Sequence, residues 1–259
     1  MNIKSFLLGT LLAFFYSGQS LAFDHEHKQW DAILKKNLTS KSLVSYKDIK
    51  ANKGPLESYL KIIKNVKKSE YKKWNKQQKM TFLINAYNAY TVKVIIEHYP
   101  LKSIKDIGSL FTSTWKTKFP YLSLLEGSVL TLDGIEHDTL RKNFKDYRIH
   151  AAVNCASISC PVLRGEAYTA AKLDAQLDEQ MKRWLADPSR NQFDSKKGTL
   201  ELSKIFDWYE DDFVKWGGGI KKVLKKYGPK NAKQAIKKKA DIDYMDYDWN
   251  LNDASSSPS

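Results

Sequence analysis

The most continuous apolar pattern after the first residues runs over 82–96, is apolar on nearly all sides, and stops before Pro100. A helix that is apolar all round is a buried one, so this segment predicts a central helix. Asn75 followed by Gln78 resembles a capping box at its start. Its polar exceptions, Asn85 and Asn88, are three apart and share a face, so both amides must find hydrogen-bond partners in or beside the core. Residues 129–132 have strand character, and Asp133 with Glu136 reads as a second capping box for a helix from Gly134 to about Phe144. Residues 148–153 form a short β-like run that gives way to small and polar residues, which predicts a tight loop or helix start around Cys155. An amphipathic helix over 170–185, a strand over 198–202 and, after glycines 217 to 219, two lysine-rich helices over 220–227 and 231–240 complete the pattern. The expected class is α+β, a mostly helical single domain with a small β-sheet.

The two ends read differently. Met1-Asn2-Ile3-Lys4, an apolar run over 6–16 and Ser20-Leu21-Ala22 have the order of a signal peptide, residues 1–22, cut after Ala22. The domain is then expected over 23–252, with 253–259 as a disordered tail. No later run reaches the twenty or so apolar residues that a membrane span needs. The expected destination is periplasmic or secreted. The formal charge of +14 is large, and charge of this size speaks to partners rather than to fold. The ordinary reading of scattered lysines is a solvated surface; outside the cytosol no nucleic acid is expected, and the alternative partner is an anionic envelope component.

Both cysteines lie in one segment, Cys155 and Cys160, five positions apart. In an exported protein their default explanation is a disulfide. The competing reading makes Cys155 a nucleophile, since a helix start and a nearby histidine both favour the thiolate. His150 and His137 are the nearest candidates for its base. On a regular strand His150 would face away from Cys155, so it would reach the thiol only after a bend. His137 falls in the first turn of the helix from Gly134, where the dipole disfavours a positive imidazole, and Arg141 shares its face. The spacings of Cys155, Cys160, His150 and His137 match no familiar zinc pattern, so no metal is expected, and no phosphate loop or serine elbow implies a cofactor. Capping by Asp133 and Glu136 argues against a glycosidase pair, and the acidic run 207–212 reads as a packed helix edge.

Several motifs together resemble the family catalogued as domain of unknown function 547. They are Phe82-Leu83-Ile84-Asn85-Ala86-Tyr87-Asn88-Ala89, Asp133-Gly134-Ile135-Glu136-His137 with Arg141, Arg148-Ile149-His150 leading to Asn154-Cys155-Ala156-Ser157-Ile158-Ser159-Cys160-Pro161, Phe206-Asp207-Trp208-Tyr209 with Asp212-Phe213, and Tyr247-Asp248-Trp249-Asn250-Leu251-Asn252. Plant members carry a Cys-Gly-Ser-x-Ser-Ser-Pro version with serine where this chain has Cys160, which implies that Cys155 belongs to the family pattern and a bridge does not. Tyr147 stands where the family commonly shows proline. The expectation that follows is a thiol-dependent hydrolase or acyl transferase of the cell envelope, distantly papain- or transglutaminase-like. In it Cys155, His150, His137 and Asn88 are catalytic, and Arg148, Arg141, Asn85 and Tyr87 bind a small-molecule or peptide substrate. The alternative is a non-catalytic binding or structural protein with a Cys155–Cys160 disulfide and a buried polar network.

Overall fold

In the computed structural model, residues 22–256 are described, apart from Leu110 and Ser195. The signal peptide expected over 1–22 lies, but for Ala22, outside the described residues. Four helices, α1 (Lys28–Asn37), α2 (Tyr46–Ala51), α3 (Gly54–Asn65) and α4 (Lys68–Lys73), lead into α5 (Lys76–His98). The capping box at its start is formed: Asn75 Oδ1 accepts from the Gln78 amide at 2.8 Å, and Gln78 Oε1 accepts from the Asn75 amide at 2.9 Å. Every residue over 80–96 is buried. The one lysine among them, Lys93, reaches Glu57 at 3.1 Å and Glu97 at 2.5 Å, as a buried ammonium must.

A short hairpin of β1 (Ser123–Leu124) and β2 (Ser128–Val129) precedes a π-wound helix, Gly134–Arg141, that runs into α6 (Lys142–Phe144). The predicted helix is present but its predicted cap is not. Asp133 is already helical and makes no capping bond, whereas Thr131 Oγ1 accepts from the Gly134 amide at 2.9 Å. Next comes α7 (Ile149–Ala152), where a β-like run was expected. Asp146 accepts from the Arg148 amide at 3.0 Å and starts the turn, and packing then overrides the weak strand preference of so short a run. The remaining elements are α8 (Leu173–Ala186), β3 (Gln192–Asp194), β4 (Thr199–Leu202), α9 (Ile205–Trp208), α10 (Glu210–Gly217), α11 (Ile220–Tyr227), α12 (Lys230–Lys237) and β5 (Asp241–Tyr244). Strand β4 is central, antiparallel to β3 and parallel to β5. The class is α+β and mostly helical, with a small sheet.

Two apolar clusters fill the interior. One surrounds α5; the other joins α8 to α11, α12 and β4, with Trp184 stacked on Phe206 at 4.7 Å. Helix α7 lies between them: Ile149 and Ala152 pack into the first cluster and Ala151 into the second. Leu251, Asn252 and Asp253 are also built in. Asp253, expected in a disordered tail, is buried and accepts from the Tyr99 hydroxyl at 2.7 Å. Residues 257–259 lie outside the described ones. No helix of the described residues is long and apolar enough to cross a membrane.

Candidate functional site

A cavity of about 210 Å³ opens where the two clusters meet, and Tyr87, His137, His150 and Cys155 all line it. Helix α5 supplies Tyr87, the π-wound helix His137, and α7 with the loop after it His150 and Cys155. Expecting a strand here placed His150 opposite Cys155; a helical turn followed by extended chain brings both to one cavity.

The loop that carries Cys155 is held from several sides. The Asn154 amide donates to Asn88 Oδ1 at 2.8 Å, Asn88 Nδ2 donates to the Ala152 carbonyl at 3.0 Å, and Asn154 Nδ2 donates to the Pro161 carbonyl at 2.9 Å. Ala156 is left-handed, with φ of 62°. The chain end then runs alongside: the Ile158 amide donates to the Asn250 carbonyl at 2.8 Å, and the Asn252 amide to the Ala156 carbonyl at 3.1 Å. This contact brings Tyr247 to the cysteine. Its hydroxyl and that of Ser157 each lie 3.2 Å from Cys155 Sγ and 3.0 Å from each other.

The two cysteines are free, which corrects the disulfide expectation. Cys160 is buried and turns its sulfur to the Cys155 amide, which donates to it at 3.0 Å. Their chemistry diverges accordingly. Hydrogen bonding from the Cys160 thiol, joined by Ser157 and Tyr247, outweighs burial and lowers the Cys155 thiol to about 7. Burial pushes Cys160 well above the ordinary thiol range. One sulfur is therefore poised to ionise and the other to remain a donor.

On the facing wall, His150 Nε2 lies 2.8 Å from Asp212 Oδ2. A carboxylate only accepts, so Nε2 carries the proton and Nδ1 is the basic atom. Among the described residues that Nδ1 has no hydrogen-bond partner, and Glu136 Oε1 stands 3.9 Å away. Burial lowers the basicity of His150, against the opposing pull of Asp212, so the resting ring is neutral. Asp212, although burial opposes its charge, is held to about 2 by bonds from His150 and Arg141. Tyr209 stacks on the imidazole at 3.9 Å. Arg141 grips Asp212 through two bonds of 2.6 and 3.0 Å and donates to His137 Nδ1 at 2.7 Å, which leaves His137 Nε2–H for Asp133 at 3.3 Å. Among the described residues neither histidine is a hydrogen-bond partner of Cys155 Sγ.

Four of the residues singled out from sequence do not meet at this cavity in the expected roles. Asn85 is spent on the Tyr168 backbone, donating to its carbonyl at 2.7 Å and accepting from its amide at 3.1 Å. Asn88 positions the loop through the Ala152 carbonyl and the Asn154 amide and is not among the lining residues. Arg148 is tied to Asp146, Asp174 and Asp178, and Arg141 to Asp212 and His137, so neither guanidinium is free for a substrate anion. Conversely, Asp212, Tyr209, Tyr247 and Glu136 belong to the site and were not assigned to it. Their signal lies in the motif segments 206–213, 133–137 and 247–252, although Asp133 and Glu136 also fit a cap and the acidic run 207–212 a packed helix edge. Among the described residues no group of three or more His, Cys, Asp or Glu is placed to hold a metal ion.

No curated protein and no solved structure matches the chain. Residues 71–185, which run from the end of α4 through Tyr87, His137, His150 and Cys155 to α8, match a known family over that length. The family that this stretch matches is described as Protein of unknown function, DUF547.

Proposed function

We propose that the chain is a thiol-dependent hydrolase or acyl transferase of the cell envelope, with Cys155 as nucleophile and His150 as acid and base. The observation that carries this reading is the pairing, across one cavity, of a thiol lowered to about 7 with a histidine whose Nε2 is fixed by Asp212 and whose Nδ1 is unpartnered. The sulfur attacks an acyl carbon of a substrate in the cavity and forms a thioester. The thiol proton leaves to solvent, the bond to the leaving group breaks, and that group departs with a proton that His150 Nδ1 has taken from solvent. In the second half Nδ1 takes a proton from the incoming acceptor, which attacks the thioester and releases the thiolate. Asp212 acts as a positioning residue, holding the tautomer this sequence needs. The developing thiolate is received by Cys160, Ser157 and Tyr247 rather than by an imidazolium, which fits the absence of a direct bond between sulfur and ring.

Mass spectrometry after exposure to p-nitrophenyl acetate tests this. The expected result is one acetyl group on Cys155 that turns over, none in Cys155→Ala, and an acetyl group that accumulates in His150→Gln because the second half lacks its base. Acetylation no faster than that of an unstructured cysteine peptide would instead mark the pocket as a non-catalytic polar network.

A further inference from the structure

The cavity contains more acid than the thiol chemistry uses. Glu136 is 6% exposed and lines the wall, yet among the described residues no lysine or arginine pairs with it. Its nearest basic atom is His150 Nδ1 at 3.9 Å, on a ring that rests neutral. Asp212, the other carboxylate on His150, shows the contrast: it is buried and fully engaged by Arg141. On a chain with a formal charge of +14, an enclosed carboxylate with no cation is a departure that burial alone would penalise.

The rim of the same cavity is aromatic. Tyr247 and Trp249 lie 4.5 Å apart, and Trp208 stands 4.8 Å from Tyr247 and 5.7 Å from Trp249. Trp115 closes the group at 5.6 Å from Trp249. Trp208 is 46% exposed and presents its ring at the mouth of this aromatic group. The cluster already holds a cation on one face: Lys105 Nζ lies 5.0 Å from the Trp249 ring centre. Ring faces and a carboxylate without a lysine or arginine partner, lining one cavity, are the chemistry that receives an alkyl ammonium.

We infer that the cavity takes a substrate bearing a primary ammonium group, read by Glu136 and the aromatic rim, and that this amine is the acyl acceptor. The second part rests on the acyl-transfer reading above; the first does not. In the transfer step His150 Nδ1 removes one proton from the ammonium. The amine nitrogen then attacks the thioester carbon on Cys155, the carbon–nitrogen bond forms and the carbon–sulfur bond breaks. The second nitrogen proton goes to the departing sulfur, giving an amide, the Cys155 thiol and a protonated His150 that returns its proton to solvent. Water is the competing acceptor, and Glu136 favours the amine over it by binding charge.

Two measurements test the inference separately. Tryptophan fluorescence of the Cys155→Ala protein, titrated with n-butylammonium and with 1-butanol, reads binding without acyl chemistry. Saturable binding of the ammonium, with affinity for the alcohol at least about tenfold weaker, is expected, as is a loss of about tenfold or more in Glu136→Gln and in Trp249→Leu. Equal binding of alcohol and ammonium by the Cys155→Ala protein overturns the inference without any variant of Glu136 being needed. The second measurement follows acetyl-Cys155 in the otherwise unaltered protein as butylamine is added. Faster loss of the acetyl group with N-butylacetamide as product is expected; acetate as the product at every amine concentration overturns the acceptor role. Failure of Cys155 to acetylate at all is a failure of the acyl-transfer reading, and the ammonium titration then stands on its own result.

Discussion

At the scale of single residues, the site turns on how two similar thiols are made different. Cys155 is half-buried beside hydroxyls and a thiol that stabilise its charge, whereas at Cys160 burial outweighs the one amide that donates to it. Removing Tyr247 OH takes away one of those partners, so Tyr247→Phe moves the ionisation of Cys155 from about 7 toward the free-thiol value of about 8.5. The sign is fixed by which form is stabilised: a donor lost from the thiolate makes it form only at higher pH. The alkylation rate of Cys155 against pH reads this, with the variant's midpoint higher and its rate at high pH unchanged. Asn88 shows what sequence can and cannot say at this scale. That it needed partners was legible from its place on an apolar helix; that the partners were the backbone on either side of Val153 was not, because they lie 64 and 66 positions away.

At the scale of elements, the loop after α7 is the most constrained piece of the site. Ala156 is fully buried and left-handed, a conformation that costs an alanine roughly 1 kcal/mol and a β-branched residue more. Glycine relieves that cost but gives up a buried methyl worth a similar amount, about 0.8 kcal/mol. Ala156→Gly is therefore expected to change stability by less than about 1 kcal/mol, whereas Ala156→Val destabilises by about 2 kcal/mol or more. Thermal melts check this, with the valine protein about 4–8 °C lower and the glycine protein close to the parent. Helix α5 was readable because its apolar run is long and its cap is local. Helix α7 was not, since four residues between two cores take their shape from packing, and Asp133 lost its expected cap to Thr131.

At the scale of the whole molecule, the site exists because two cores and the chain end converge on α7. The sequence carried the parts, in motif segments from 82–89 to 247–252, and the placement of Cys155, His150 and Tyr87 in one cavity follows them. It did not carry the division of carboxylates between Arg141 and Arg148, which depends on which acids the fold delivers to which cation. The same burial makes the fold acid-labile. His27 is buried with Nδ1 on the Tyr59 hydroxyl at 2.7 Å, and burial lowers its basicity to about 3. Its folded value lies below the unfolded one of about 6.5, so the unfolded chain takes the proton first and stability declines as pH falls from about 6.5 toward 3. Asp212 adds a further loss as pH falls from about 3.9 through 2. Denaturation midpoints across this range are expected to flatten above about pH 4 in His27→Asn, which keeps a polar group at a left-handed position and does not titrate.

The central claim is that Cys155 is a nucleophile made ready by its own surroundings. The alkylation of the native protein by iodoacetamide, followed residue by residue as pH is raised, tests it most directly. The account predicts that Cys155 reacts with a midpoint near pH 7 while Cys160 stays unmodified until the protein unfolds. A Cys155 midpoint at or above about 8.5, or equal modification of the two cysteines in the folded protein, contradicts it.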